Sequence, residues 1–290
     1  MPISQPFLNH IQELILSEAG STENIRSVAS VTGGDINSAY QLCGNHNQYF
    51  LKVNDASIYP DMFSLEAKGL KTLGDVTPGV IGHGIFSDHV FLLMPWIEAG
   101  RKTKLGQENL GRMLAGVHLI TAPQFRLAYH NYIGRLPQIN TEYEDWTTFF
   151  VFNRLQFQLD LANNKGLIDT ELRKNFDSLF KRFEELFPVE PPALLHGDLW
   201  GGNYLISENS KPYLIDPAIY YGHREMDIAM TNLFGGFSPD FYSAYQEQFP
   251  LQPGWPQRLS LWNLYPLLVH VNLFGTSYLP QLKANLRNWI

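Results

Sequence analysis

Three polar residues lie close together in sequence, beside short apolar runs, in the second half of the chain. Asp198 is followed five residues later by Asn203, and Asp216 comes thirteen residues after Asn203. Phosphoryl transfer uses such a set, because one carboxylate receives the proton of an attacking hydroxyl while an amide and a second carboxylate offer oxygen ligands to Mg²⁺. The interval from Asp198 to Asn203 equals that of the catalytic loop of protein kinases. The spacing therefore predicts a Mg²⁺-dependent phosphoryl-transfer site with Asp198 as its base.

Two further residues are interpreted as supports of this loop. His196, two residues before Asp198, is expected to orient the loop and not to take part in the chemistry. Asp227 begins a predicted apolar helix, where its carboxylate could cap the helix or accept hydrogen bonds from the main chain of the loop. A Zn²⁺ site at His196 and Asp198 is disfavoured, because the neighbouring sequence offers no third nitrogen or sulfur ligand.

Lys52 lies within an otherwise apolar predicted strand, Tyr49–Val53. Burying an unpaired ammonium group is costly, so this position predicts an anionic partner. Glu66 on the next predicted helix and a phosphate of a nucleotide are the candidates, as in the lysine–glutamate pair of protein kinases. A lysine on an edge strand with its ammonium group in water is the alternative. The catalytic-loop motif favours the nucleotide-binding interpretation.

Two segments could contact a nucleotide through their main chain. Gly33 and Gly34 join two predicted strands, which excludes a Walker or Rossmann loop because both need a helix directly after the glycines. These glycines could cover phosphates, although an ordinary hairpin turn explains them as well. Met94, Pro95 and Ile97 end a predicted strand, where a main-chain carbonyl and an N–H group two residues later could bind adenine. A proline that ends an edge strand is again the alternative.

The predicted elements change from strands to helices near residue 95. Before it, the strands at 25–31, 39–42, 48–53, 80–85 and 89–94, with a helix at 61–73 and a short amphipathic helix within 1–20, indicate a small antiparallel sheet. After it come helices at 107–119, 146–162, 170–187, 227–233 and 256–274, and short strands at 193–195, 204–206 and 212–215. This order predicts an α+β chain with two lobes. Residues 1–95 would bind the nucleotide, and residues 96–290 would carry catalysis and bind the acceptor.

Composition narrows the possible partners. The 290 residues are 44% hydrophobic, which is enough for two sizeable cores. With 21 basic and 28 acidic residues, a net charge of −7 and no basic stripe, neither nucleic acid nor a membrane surface is expected as a partner. Cys43 is the only cysteine, which excludes an intrachain disulfide. Without a basic leader or a long apolar run, the chain is expected to be cytoplasmic.

The combined motifs resemble those of the fructosamine (ketosamine) kinases, which are small-molecule kinases of the aminoglycoside-phosphotransferase, protein-kinase-like fold. The resemblance is carried by Leu195–Asn203, Ile215–Ala218, Tyr221–Glu225, Gly33–Asn37, Phe50–Lys52, Asn131–Gly134, Pro137–Gln138, Asp145–Trp146, Phe149–Phe150, Phe234–Phe237 and Phe241–Tyr245. Within the wider fold, Trp200-Gly201-Gly202 and the Phe234–Phe237 run are specific to this family. The bare His-Gly-Asp motif with its asparagine is shared with choline and aminoglycoside kinases.

The resemblance implies a bilobal fold, with a small antiparallel-sheet lobe that has one helix and a larger, mainly helical lobe. It also implies ATP-dependent phosphorylation of a ketosamine, typically at the 3-OH of a fructosamine or ribulosamine on lysine, after which the adduct decomposes and frees the amine. Asp198 would be the base, Asn203 and Asp216 the Mg²⁺ ligands, and Lys52 with Glu66 the phosphate-binding pair. Trp200 would line the sugar site. Asn131, Gln138 and Phe274 are further candidates on the acceptor side.

Two departures from the family pattern leave the catalytic residues untouched. Thr32 replaces a frequent third glycine of the loop, and Pro95 replaces a usual acidic residue. The alternatives are a kinase of another small hydroxylated amine (an amino sugar, an aminoglycoside or a choline-like compound), a catalytically silent nucleotide-binding scaffold and a nucleotide hydrolase. A polycationic acceptor is less favoured, because residues 125–146 hold one close acidic cluster, Glu142, Glu144 and Asp145. A silent scaffold is less favoured because neither the base nor a metal ligand is missing.

Overall fold

Two compact units, each with its own contacts, make up the chain. The computed structural model describes residues 3–31 and 37–290, so the predicted glycine turn at Gly33 and Gly34 lies outside the described residues. The first unit comprises Met1–Arg101 and Leu205–Asp216, and the second comprises Lys102–Tyr204 and Pro217–Ile290.

A five-stranded antiparallel sheet with the strand order β1-β2-β3-β5-β4 forms the centre of the first unit. Its strands are β1 (Ser27–Val31), β2 (Ser38–Cys43), β3 (Gln48–Asp55), β4 (Gly82–Phe86) and β5 (His89–Pro95). The register places Lys52 of β3 between Ala39 of β2 and Leu92 of β5. Lys52 therefore lies on the middle strand, which rules out the edge-strand alternative.

Two helices complete this sheet: α1 (Gln5–Ala19) and α2 (Met62–Leu73). The N-cap Ser4 accepts a hydrogen bond from Phe7 N–H and so begins α1. Phe7, Ile11 and Ile15 recur at helical spacing and are buried in one cluster with Leu51 and other sheet residues. α1 confirms the short amphipathic helix predicted within residues 1–20, so this unit has two helices where the family resemblance implied one. α2 carries Glu66 on the side of β5.

A short hairpin from late in the sequence belongs to the first unit, except for its first residue, Tyr204. It consists of β9 (Tyr204–Ile206) and β10 (Pro212–Leu214). The N–H of Gly100 donates to the carbonyl of Ile206 at 2.8 Å, and Ala99 forms a bridge with Ser207. The lobes were predicted as residues 1–95 and 96–290. The first compact unit extends to Arg101 and also includes residues 205–216.

The second unit is mainly helical. Its helices are α3 (Lys104–His118), α4 (Trp146–Phe149), α5 (Phe157–Asn164), α6 (Thr170–Phe180), α7 (Glu225–Leu233), α8 (Pro239–Gln248), α9 (Trp255–Trp262), α10 (Leu264–Phe274) and α11 (Leu279–Arg287). Its strands are β6 (Asn131–Ile133), β7 (Leu136–Gln138), β8 (Ala193–Leu195) and β11 (Tyr220–Gly222). β6 pairs with β7 and β8 with β11, both antiparallel.

Two predicted long helices are divided in the structure. A π-helical turn, Phe150–Gln156, separates α4 from α5 where one helix was predicted over 146–162. The helix predicted over 256–274 stops at Trp262 and restarts at Leu264, because Pro266 has no N–H to continue the hydrogen bonds of α9. Helices α8 and α11 and strands β6, β7 and β11 were not predicted. In residues 3–31 and 37–290, no helix combines the length and apolar character that crossing a membrane requires.

Candidate active site

The residues of the predicted catalytic loop directly follow β8 in the second unit. His196 is fully buried, and Gly197 has a φ of +83°. A Cβ added to Gly197 would lie 2.1 Å from the carbonyl oxygen of Ala218, so only glycine fits at this position. The N–H of Ala218 in turn donates to the carbonyl of His196 at 2.9 Å. The main chain of His196 and Gly197, where the loop begins, is therefore held against Ala218 by a hydrogen bond and by a close contact.

Asp227 holds the start of this loop through two main-chain hydrogen bonds. Its carboxylate accepts from the N–H of His196 at 2.7 Å and from the N–H of Gly197 at 2.9 Å. The helix α7 already begins at Glu225, so Asp227 is not its N-cap residue. The carboxylate serves the loop instead of the helix end.

A buried histidine completes the surroundings of Asp227. Nε2 of His118 lies 3.2 Å from Oδ2 of Asp227, and Nδ1 lies 2.7 Å from the hydroxyl of Tyr245. Burial alone would raise the pKa of Asp227, but the hydrogen bond to His118 and the nearby histidines hold it below its ordinary value. Asp227 is therefore a carboxylate at neutral pH and accepts both N–H groups of the loop.

Asn203 lies against Asp198 within the loop. Its side-chain Nδ2 donates to the main-chain carbonyl of Asp198 at 2.8 Å and to the Oδ2 of Asp198 at 3.2 Å. Its own N–H donates to the carbonyl of Trp200 at 2.9 Å. Because the amide nitrogen faces Asp198, the Oδ1 of Asn203 is turned away from that carboxylate and is suited to a hard cation. Nδ1 of His196 lies 3.3 Å from the main-chain nitrogen of Asp198 and accepts from its N–H, which holds the main chain of the loop at this point.

In the first unit, Lys52 binds two carboxylates at once. Its Nζ lies 2.7 Å from Oε1 of Glu66 and 2.9 Å from Oδ1 of Asp216. Burial would lower the pKa of Lys52, but the charges of Asp216 and Glu66 outweigh it and raise the pKa above its ordinary value. Lys52 is therefore a buried cation, as its place in an apolar strand predicted, and Asp216 is a second partner that the sequence did not indicate.

Asp216 has a backbone conformation that non-glycine residues rarely adopt. Its φ is +54°, in the left-handed region, and such strain is often found at functional sites. The side chain is 43% exposed, so one carboxylate oxygen binds Lys52 while the group stays accessible to solvent. An accessible carboxylate beside Lys52, the predicted phosphate contact, fits the predicted role of Asp216 in binding Mg²⁺.

The donor set suits Mg²⁺ better than Zn²⁺. Among residues 3–31 and 37–290, no group of three or more His, Cys, Asp or Glu side chains is placed to hold a metal ion. Mg²⁺ typically takes one or two protein oxygen ligands and completes its shell with phosphate oxygens and water. Asn203 in the second unit and Asp216 in the first each carry an oxygen donor of that kind, and their role as Mg²⁺ ligands stays a prediction.

Three of the predicted nucleotide-binding residues lie at the end of β5. Met94 and Pro95 are its last residues, and Ile97 follows two residues later. Met94 is buried, whereas Pro95 and Ile97 are half-buried. Pro95 lies opposite Tyr49 of β3 in the sheet register. The adenine-binding role of these residues stays a prediction.

The two family-specific glycine motifs contact each other in the second unit. A Cβ on Gly201 would lie 2.9 Å from the carbonyl of Gly235, and one on Gly236 would lie 2.7 Å from the Cα of Gly201. The loop of Trp200 and the loop after α7 therefore pack main chain against main chain. This contact explains why glycines occur in both motifs, and it leaves the indole of Trp200 38% exposed beside the predicted base.

A partly exposed aromatic patch begins in the second of these loops. It consists of Phe234, His270, Phe274 and Tyr278, and the ring of His270 lies 4.7 Å from Phe234, 5.5 Å from Phe274 and 4.9 Å from Tyr278. Nδ1 of His270 donates to the carbonyl of Pro266 at 2.7 Å, and burial lowers the pKa of His270, so the ring is neutral. Phe274 was a predicted acceptor-side residue, but the others were missed. The spacing of four residues from His270 to Phe274 on one helix was the available signal.

Asn131 and Gln138 are buried beneath the loop. Nδ2 of Asn131 donates to the carbonyl of Ile219 at 3.0 Å, and Nε2 of Gln138 donates to the carbonyl of Ala218 at 2.9 Å. Gln138 is 1% exposed. These contacts favour a role in positioning the main chain over the predicted contact with the acceptor.

Comparison with known proteins finds close relatives over nearly the whole chain. The family model described as fructosamine kinase matches residues 7–290. The chain is 43% identical over 270 residues to a probable ketoamine kinase of Enterococcus faecium, covering 90% of this chain and 95% of the relative. It is 38% identical over 278 residues to the chloroplastic protein-ribulosamine 3-kinase of Oryza sativa subsp. japonica, covering 92% of this chain and 80% of the relative.

Two solved structures share the fold. A crystal structure of a Thermobifida fusca protein, provisionally named a fructosamine-3-kinase, matches with a TM-score of 0.86 at 32% identity, covering 97% of this chain and 98% of that one. The spectinomycin phosphotransferase APH(9)-Ia, solved with ADP and spectinomycin, matches with a TM-score of 0.61 at 16% identity, covering 100% and 94%. The second likeness shows the fold alone. The predicted α+β, protein-kinase-like fold is confirmed.

Proposed function

The chain belongs to the fructosamine kinase family and is a phosphotransferase that acts on a hydroxyl group, and we propose that it uses ATP and Mg²⁺ to phosphorylate the 3-OH of a fructosamine- or ribulosamine-type ketosamine. The observation that carries this proposal is the fixed pair of Asp198 and Asn203, in a loop held by Asp227. The name of the rice relative, which specifies a ribulosamine 3-kinase, supports the position of transfer.

Asp198 is the general base of this mechanism. Its carboxylate takes the proton of the acceptor hydroxyl as the oxygen attacks, and the amide of Asn203 holds that carboxylate in place. Because phosphoryl transfer depends mostly on positioning and electrostatics, the base needs little change in basicity.

The remaining charged residues bind the nucleotide side. When bound, ATP supplies the phosphoryl group, and Mg²⁺ neutralises charge on its phosphates. Asn203 and Asp216 would hold the cation through side-chain oxygens. Lys52, kept protonated by Glu66 and Asp216, would contact the phosphates. Gly33, Gly34, Met94, Pro95 and Ile97 complete the proposed nucleotide contacts.

The acceptor side is aromatic. Trp200 follows the base by two residues and is partly exposed, and the aromatic patch of Phe234, His270, Phe274 and Tyr278 adjoins the neighbouring loop. The four residues of this patch include no carboxylate to pair with the ammonium groups of a polycation, and their faces suit the carbon skeleton of a sugar adduct. This favours a ketosamine over an aminoglycoside. Decomposition of the phosphorylated adduct would then free the amine.

Measurement of ATP consumption tests this proposal directly. Fructose-, ribulose- and erythrulose-lysine are compared with aminoglycosides and choline in the presence of Mg²⁺ or EDTA, and the product position is read by phosphorus-coupled NMR. We expect turnover of ketosamines only, Mg²⁺ dependence and a 3-phosphate. Asp198→Asn should lower kcat by about 10²–10⁴-fold, the usual effect of losing a general base. Exclusive turnover of aminoglycosides or choline would refute the acceptor, and full activity of Asp198→Asn would refute the base.

A further inference from the structure

Arg154 is a charged side chain at the centre of the second unit. It is fully buried and makes no ion pair among residues 3–31 and 37–290. Its guanidinium carbon lies 3.9 Å from the ring centre of Tyr220 and 4.7 Å from that of Phe149, and its NH1 donates to the carbonyl of Ile139. Burial of a charge without a carboxylate is costly. A neutral residue would fill the same space at less cost, so the charge calls for an explanation.

A chain of hydrogen-bonded side-chain amides begins at Arg154. Its hydrogen bonds can run in only one donor-to-acceptor direction. NH2 of Arg154 donates to Oδ1 of Asn140 at 2.8 Å, and a guanidinium group can only donate. Nδ2 of Asn140 therefore faces onward and donates to Oδ1 of Asn131 at 2.8 Å. Nδ2 of Asn131 then donates to the carbonyl of Ile219 at 3.0 Å. Nδ2 of Asn140 also donates to the carbonyl of Tyr129 at 3.0 Å, so carbonyl acceptors and the guanidinium donor favour the same orientation of both amides.

A second arm joins the chain at Asn131. Nε2 of Gln138 donates both to Oδ1 of Asn131 and to the carbonyl of Ala218, each at 2.9 Å. The hydroxyl of Tyr265 donates to Oε1 of Gln138 at 2.9 Å, which fixes this amide as well. The carbonyls of Ala218 and Ile219 are therefore both held by the network.

These two main-chain positions support the catalytic loop. The N–H of Ala218 donates to the carbonyl of His196, and the Cα of Gly197 passes directly over the carbonyl of Ala218. A shift of residues 218–219 would therefore move His196 and Gly197, which directly precede Asp198. A displacement of about 1 Å in a reacting group can lower turnover about 10²-fold.

We propose that Arg154 is a positioning residue of the phosphotransferase, which anchors the buried chain of Asn140 and Asn131 and thereby sets the place of the catalytic loop. A neutral side chain in its place would leave Oδ1 of Asn140 without its guanidinium donor and would loosen the amide chain that reaches Ile219. The effect on turnover rests on the assignment of Asp198 as base, but the effect on the loop does not.

The test compares two isosteric changes of buried asparagines. Asn131→Asp removes the donor to Ile219, while Asn272→Asp removes the donor from Asn272 Nδ2 to the carbonyl of Gln158 at 2.9 Å. The two residues are equally buried, at 7% and 6% exposure. We expect Asn131→Asp to lower kcat about 10- to 100-fold with an unchanged KM for ATP, and to speed hydrogen exchange of residues 196–203. Asn272→Asp should retain kcat and loop protection even where it lowers Tm equally.

Arg154→Met extends the comparison to the charge itself. If Arg154 acts through Asn131, Arg154→Met and Asn131→Asp should affect loop exchange non-additively, whereas Arg154→Met and Asn272→Asp should be additive. Unchanged exchange of residues 196–203 in Asn131→Asp, or equal loop effects of the two asparagine variants, would overturn the proposal. Because exchange is measured without substrate, absence of ketosamine turnover in the parent protein would count against the proposed function alone.

Discussion

The two units hold their functional groups by different physical means. In the first unit, Lys52 is held by charge, with two carboxylates within 2.9 Å of its ammonium group. In the second unit, the loop of Asp198 is held by directed hydrogen bonds to main-chain atoms and by a glycine that admits no side chain. Charge tolerates small changes of geometry, whereas directed bonds and close contacts do not. The second unit should therefore be the more sensitive to changes that alter shape alone.

A single methyl group on the loop should have the largest effect. Gly197→Ala places a Cβ 2.1 Å from the carbonyl of Ala218, so we expect kcat to fall about 10²–10³-fold through displacement of the base. Gly166→Ala is the matched control, because Gly166 has a φ of +65° but open space around its Cβ. The control should lower stability by about 1–2 kcal/mol through backbone strain and leave kcat intact. If both variants lowered kcat equally, backbone strain at the glycine and not the close contact with Ala218 would explain the effect.

Removal of one charge from the first unit should have a smaller effect. Glu66→Gln leaves Asp216 as a partner of Lys52, so we expect kcat/KM for ATP to fall about 10-fold, which equals about 1.4 kcal/mol. Steady-state kinetics with ATP varied and the acceptor saturating would measure it. Glu23→Gln is the control, a buried carboxylate of the same unit that is bound by Asn47 and Tyr49 and not by a cation. If Glu23→Gln lowered kcat/KM for ATP as much as Glu66→Gln does, the assignment of Glu66 and Lys52 to the nucleotide site would be contradicted.

The two units should also differ in their response to pH. The pKa of Lys52 is raised above its ordinary 10.5, so its contribution to stability is complete below pH 10.5 and is lost as pH rises beyond the folded value. The pKa of Asp227 is depressed below 3.8, so its contribution is present above pH 3.8 and is lost as pH falls. We expect Lys52→Met to reduce the fall in Tm at alkaline pH. We expect Asp227→Asn to reduce the fall in Tm at acid pH. The reverse pattern would refute the sign of either shift.

Truncation of one exposed ring should have the smallest effect. Phe274→Ala removes a partly exposed member of the aromatic patch, and we expect the KM of a ketosamine to rise about 3- to 10-fold, in line with the energy of one aromatic contact. Phe152→Ala is the matched control, since Phe152 is an exposed phenylalanine of the same unit that contacts Tyr143. An unchanged KM in Phe274→Ala would remove the patch from the acceptor site.

The sequence allowed the charged site to be predicted better than the network beneath the loop. A lysine in an apolar strand requires an anion, and the predicted partner Glu66 lies 2.7 Å from it. The partners of Asn131 and Gln138 are main-chain atoms 88 and 80 residues away, and no local pattern indicates contacts at such distance. Strands of three residues, such as β6 and β11, are too short to show alternation. An arginine within a predicted helix is expected at the surface, and the sequence does not reveal the π-helical turn in which the buried Arg154 lies.

The late hairpin has a consequence for the order in which the protein is made. Lys52 and Glu66 are synthesised early, but Asp216 and the hairpin that carries it belong to the same unit and leave the ribosome only after the catalytic loop. Until Asp216 has been synthesised, Glu66 is the one carboxylate of this pair that can bind the ammonium group of Lys52. The first unit therefore cannot reach its final charge balance as the chain emerges, although domains that are continuous in sequence generally fold in that order. A fragment that ends at residue 101 would stop in this half-paired state.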